Sequence, residues 1–147
     1  MSHGCQALVV ACMDFRLWPK LFQLLATIGL PAGSFDLVSV AGSGKSFLGP
    51  FQWNLFRWFK QIIISGFMLL QVGISVKLHG ITKVVILFHD DCGAYAIANQ
   101  AEERQAQLED LRKIVALIKT KFPALKGVET YTIEGTARGN LTIKPVR

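Results

Sequence analysis

A chain of 147 residues is long enough for one compact domain, 1–147, with a sizeable core. Its 51% hydrophobic content and 18% charge exclude an intrinsically disordered chain and point to more apolar surface than one copy can bury. The net charge of +6 suits an anionic ligand, but there is no basic run interleaved with aromatics and no Cys/His finger spacing, which argues against a nucleic-acid binder.

Along the chain, ALVVAC (Ala7–Cys12) is a continuous apolar run and reads as a buried strand. It leads into CMDFR, where Cys12, Asp14 and Arg16 alternate. Alternate residues of an extended chain share one side, and burying three such groups without partners would be costly. Either something satisfies them there or they line a site. Residues 17–29 carry a helical pattern stopped by Gly29 and Pro31, and Ser34–Val40 is a second strand. AGSGKS, which follows it, invites a phosphate-loop reading, but that motif needs glycine where Ser39 stands, leaving at most a backbone anion site. Phe51 to Leu78 holds one or two helices, with Gly66 and Gly73 as candidate bends. Its uncharged run, Gln61–Val76, is shorter than the roughly 20 apolar residues of a spanning helix and contains polar residues. It reads as a buried or subunit-facing helix, and membrane association is not expected. Thr82–Phe88 is a third strand, continuous in Val, Ile, Leu and Phe from Val84 onward as a strand buried on both faces should be. Residues 102–122 form an amphipathic helix with Leu108, Leu111, Ile114, Val115 and Ile118 on one stripe. Residues 127–135 and 139–146 read as closing strands, with a hairpin around Arg138–Gly139.

This alternation predicts an α/β fold: an open, mainly parallel sheet flanked by helices, with right-handed crossovers and a strand order of about 2-1-3-4. Ligands of such sheets bind beyond the carboxyl ends of the strands where the order reverses, here between the first and third strands. Cys12 ends the first, and His89 and Cys92 follow the third. Each alone reads as an ordinary buried cysteine or loop histidine. Together they make a Cys2His set, which leaves tetrahedral zinc an open fourth position where a bound water is acidified towards neutrality. Cys12 to Arg16 is two residues short of the Cys-x5-Arg loop of thiol phosphatases. His3 and Cys5 read as incidental, able at most to scavenge metal, and His79 as a helix-end cation without a catalytic role. Of Asp90 and Asp91, one is expected to orient Arg16 or a ligand and the other to be solvated. Three cysteines without an export signal predict a reduced, cytoplasmic protein.

CMDFR resembles the Cys-x-Asp-x-Arg signature of the β-class carbonic anhydrases, and HDDCG resembles their His-x-x-Cys-Gly. The resemblance covers most of Ala7 to Tyr95. It implies Zn2+ on Cys12, His89 and Cys92, and catalytic roles for Asp14 and Arg16. Asp14 would accept a hydrogen bond from the zinc water while Arg16 holds its carboxylate, although in some members this Asp closes the site as a fourth ligand. The implied activity is reversible hydration of carbon dioxide to bicarbonate by a homodimer or tetramer. The family's Arg-Asn-Ala-Gly segment reads Ser39-Val40-Ala41-Gly42 here, which retains Gly42 as a substrate-pocket residue and loses the polar pair. The sequence also leaves no room for the family's N-terminal helical arm. The aromatic segment 47–64, without a clear counterpart, would supply a substitute subunit interface around Trp53, Phe56 and Trp58 or a more apolar entrance. Two further functions fit the same residues: hydrolysis of carbonyl sulfide or carbon disulfide, and a non-catalytic zinc-stabilised interaction module.

Overall fold

A computed structural model describes the backbone of residues 4–48 and 55–146, and their side chains apart from those of residues 55–61. Trp53, and the side chains of Phe56 and Trp58, therefore lie outside the described residues.

The sheet has five strands: β1 (Ala7–Cys12), β2 (Phe35–Val40), β3 (Lys83–His89), β4 (Gly127–Glu134) and β5 (Thr142–Pro145), ordered β2-β1-β3-β4-β5. The first four are parallel, with Ala7 opposite both Phe35 and Lys83, and Lys83 opposite Gly127. β5 returns antiparallel to β4 through a short turn, Thr136–Arg138, forming the expected hairpin. That turn requires Gly135, whose φ is +88° and where a Cβ would collide with the Asn140 carbonyl. β1 is buried along its whole length and β3 nearly so, which is why both read as unbroken apolar runs.

Three helices complete the fold: α1 (Trp18–Thr27), α2 (Leu55–His79) and α3 (Gln100–Lys121). Asn99 caps α3, its side chain accepting from the Ala101 and Glu102 amides, and Glu102 and Glu103 suit the positive end of the helix dipole. Leu111, Ile114 and Ile118 are buried on the expected stripe, whereas Leu108 and Val115 lie at its edge.

Residues 43–47, between β2 and α2, wind into a 3-10 turn pressed onto β3 and α3. A Cβ at Gly44 would lie 2.7 Å from Ile86 Cγ2 and 3.2 Å from Ile114 Cδ1, so close packing explains this glycine. The Lys45 ammonium donates to the Ala94 carbonyl at 2.9 Å and sits over the Tyr95 ring. These contacts account for AGSGKS without a phosphate.

α2 is one continuous helix that runs through Gly66 and Gly73 without interruption. Met68, Val72 and Ser75 form its buried face. Ile63, Phe67, Leu70, Ile74 and Leu78 form a second apolar stripe, exposed to solvent, with Ile63 66% accessible. Only 17% of Ile62–His79 is buried, and by length and composition this window could cross a bilayer. Of the expectation of a buried or subunit-facing helix, burial within the chain holds for one face alone.

Candidate metal centre

The crossover connections bring the ends of β1 and β3 side by side, because both strands are parallel and adjacent. Cys12 closes β1, His89 closes β3, and Cys92 follows on the turn after β3. Their ligand atoms all lie within 4.8 Å of one another, with the two sulfurs 4.0 Å apart. All three side chains are buried.

The donor chemistry fits a metal ion. His89 Nδ1 donates to the Asp90 carbonyl at 2.7 Å, which fixes the tautomer and turns Nε2 inward. That Nε2 is buried without a hydrogen-bond partner among the described residues, and a buried polar atom in that state normally has a ligand. A hydrogen bond from Cys92, helped by His89 and by the Asp14 and Gly42 amides, pulls the Cys12 thiol down to about 4 against its burial. The same pairing, together with burial, pushes Cys92 up. Two sulfurs this close share a proton, and ionising both calls for a cation between them. Burial opposes a charged His89, but Cys12, the Asp90 carbonyl and Asp14 outweigh it and raise its pKa.

Asp14 and Arg16 stand at the mouth of this group. Arg16 Nε donates to both Asp14 oxygens at 3.0 and 3.2 Å, Nη2 donates to Oδ2 at 2.6 Å, and the Arg16 amide donates to Oδ1. The guanidinium holds the Asp14 carboxyl well below the usual carboxylate range, against its partial burial. Arg16 is anchored in turn by Asp91, through Oδ2 at 2.6 Å and the carbonyl at 2.8 Å. Asp14 Oδ2 lies 4.0 Å from His89 Nε2. Gly42 places its amide against the Cys12 sulfur and has φ +72°, and a Cβ there would lie 2.9 Å from Ala94 Cβ.

Of the two aspartates, Asp91 is the one that orients Arg16. Asp90 is not simply solvated, since its carboxylate accepts from the Gly135 and Thr136 amides and ties the end of β3 to the turn before β5. Two residues escaped sequence reasoning. Glu103 is 3% exposed and accepts from the Asp91 and Cys92 amides at 3.0 and 2.7 Å. Gln107, one turn on, donates to the His89 carbonyl at 2.8 Å. A buried amide left unpaired costs about 1–3 kcal/mol, so Glu103 holds the ligand loop against α3. The signal was available: Glu103, Gln107, Leu111, Ile114 and Ile118 continue one helical stripe, and a polar residue on a buried face needs a partner. Clefts of about 300 and 480 Å3 open beside Asp90 and Glu103, away from the three candidate ligands.

No protein-family model matches the chain. An uncharacterized protein of Rickettsia bellii is 31% identical over 131 residues, 84% of this chain and 74% of its own length. An uncharacterized protein of Rickettsia conorii shows the same identity over 65% of its length. Among solved structures, a carbonic anhydrase from Streptococcus mutans superposes on 100% of this chain and 86% of its own, with TM-score 0.60 and 18% identity. The β-carbonic anhydrase CafD of Aspergillus fumigatus matches 98% of this chain and 90% of its own at TM-score 0.60 and 13% identity. Tetrameric β-carbonic anhydrases of Sordaria macrospora give 0.56 at 11% identity, over 97% of this chain and 81% of theirs. These likenesses establish the fold. At its identity and coverage with the first relative, the chain belongs to the same family as the Rickettsia bellii protein, carried on a β-carbonic-anhydrase fold.

Proposed function

We propose that this protein is a zinc-dependent carbonic anhydrase that interconverts carbon dioxide and bicarbonate. The observation that carries the reading is a buried Cys12–His89–Cys92 triad with an Arg16-held carboxylate beside it. Zinc bound by the triad would supply Lewis acidity and an acidified water at an open coordination position. The chain's own residues do the rest. Gln107 and the Asp90 carbonyl fix His89, and Glu103 fixes the loop that carries Cys92. Asp14 is the proton and hydrogen-bond acceptor, and Arg16 keeps it ionised and turned to one position. Arg16, with 30% of its side chain accessible, marks the way out for a proton. Gly42 supplies a backbone amide to the Cys12 sulfur. A reducing cytoplasmic setting keeps the two sulfurs as ligands.

Stopped-flow hydration of carbon dioxide, run beside an assay of sulfide release from carbonyl sulfide, tests the activity. Zinc-loaded protein is expected to hydrate carbon dioxide faster than buffer alone. Sulfide release without hydration would transfer the same residues to a carbonyl sulfide hydrolase, and neither activity would leave a non-catalytic zinc module.

The assembly follows from α2. Its outer stripe of Ile63, Phe67, Leu70, Ile74 and Leu78 is a contiguous apolar face of the kind that marks an interface, and the Sordaria relatives on this fold are tetrameric. The stripe meets a second copy in a dimer or tetramer. Light scattering in detergent-free buffer should give a multiple of the chain mass. A stable monomer would refute the assembly, and extraction only by detergent would assign the stripe to a bilayer.

A further inference from the structure

At the other end of the sheet, about 20 Å away along a six-residue strand, three chemically different donors converge. Cys5 lies just before β1, Asp36 is the second residue of β2, and His79 is the last residue of α2. Their ligand atoms also lie within 4.8 Å of one another, the same limit that unites Cys12, His89 and Cys92. We propose that Cys5, Asp36 and His79 form a second site for a divalent ion of the zinc type.

The backbone holds these donors in place. The Cys5 amide donates to the His79 carbonyl at 3.1 Å, and the Gln6 amide donates to the Ser34 carbonyl at 2.7 Å. Asp36 is fixed opposite Leu8 by the β1–β2 register. His79 Nδ1 lies 2.9 and 2.7 Å from the two Asp36 oxygens, so a single hydrogen occupies the space between imidazole and carboxylate. An ion pair capping the helix would explain those two residues. It does not call for a thiol, yet Cys5, whose Sγ lies 3.6 Å from the Ala7 carbonyl, also reaches Asp36. One thiolate, one imidazole and one carboxylate make a donor set that zinc accepts, with a fourth position for water. The carboxyl end of α2 adds a partial negative charge that favours a cation. The His79 and Asp36 side chains are 37% and 25% accessible, so an ion can enter from solvent. Bound there, it would fasten the starts of β1 and β2 to the end of α2.

The site makes no claim on catalysis, and metal content alone reads it. Zinc titration of the full chain, followed by elemental analysis after desalting, should saturate at two ions in the wild type and at one in Cys5→Ala and in His79→Gln. Titration with cobalt should show the same loss, the thiolate-to-metal absorption of Cys5→Ala falling by roughly one third because one of three ligating thiolates is gone. Circular dichroism checks that both variants are folded, and His79→Gln supplies the answer should Cys5→Ala not fold. Metal content in either folded variant equal to that of the wild type would overturn the proposal. Failure of the first site would instead appear as a Cys12→Ser variant with unchanged metal content.

Discussion

Cys92→Ser is expected to empty the triad and to lower the melting temperature by about 10 °C or more. The sulfur is buried beside Cys12, and its replacement by a hydroxyl removes a strong ligand while leaving His89 Nε2 without a partner. A ligand present at a thousand times its dissociation constant stabilises the folded state by about 4 kcal/mol. For a chain of this size 1 kcal/mol moves the midpoint by about 2–4 °C. Cys12→Ser should behave alike, because its sulfur joins the end of β1 to the loop after β3. Calorimetry with and without zinc is the measurement. An equal midpoint in wild type and variant, both in zinc, would show that the triad holds no metal of consequence.

Asp14→Asn should keep its zinc and lose about 100- to 10,000-fold in turnover, the range that a positioned proton acceptor supplies. An amide cannot take the proton, and its NH2 would face the Arg16 donors that now grip both oxygens. Arg16 lowers the Asp14 pKa below its ordinary 3.8. A carboxylate depressed in this way is charged at all pH values above its folded pKa, and its contribution is lost only as the pH falls through that value. The ratio of mutant to wild-type rates should therefore be flat between about pH 5 and 9. Arg16→Ala should also be slow, since it frees a carboxylate lying 4.0 Å from His89 Nε2 to move onto the ligand set. The double variant should be little slower than either single one, as residues acting as a unit are not additive. Stopped-flow rates at matched zinc content decide this, and wild-type turnover in Asp14→Asn would reduce the pair to a salt bridge.

The parts of this molecule legible in its sequence are those where burial leaves one reading. β1 is apolar throughout and β3 from Val84 to Phe88, as strands buried on both faces should be, so their existence followed from pattern, and the meeting of Cys12, His89 and Cys92 from the expected strand order. α2 was harder because nearly every residue is apolar: composition cannot separate Met68 and Val72, which face the core, from Phe67 and Leu70, which face outward. Glu103 and Gln107 were missed for the opposite reason. On a helix rich in Glu, Gln and Arg they look like solvated residues, although they continue the stripe of Leu111, Ile114 and Ile118 and meet the ligand loop there. Asp36 and His79 stand 43 residues apart, and nothing in the spacing of either reveals that β2 and the end of α2 converge on Cys5.

The 80 positions separating Cys12 from Cys92 bear on when the chain could acquire an ion at the triad. Neither cysteine can find the other until β1 and β3 have paired across the intervening strand and two helices, a long loop to close before any contact compensates for it. Cys12 and His89 meet only through that same closure. The nascent chain offers only the local pair His89 and Cys92, so completion of the triad around an ion would be a late event on the way to the native state. An interaction absent from the folding transition state slows departure from the native state and does not hasten arrival. A bound ion would thus govern how long each folded molecule lasts.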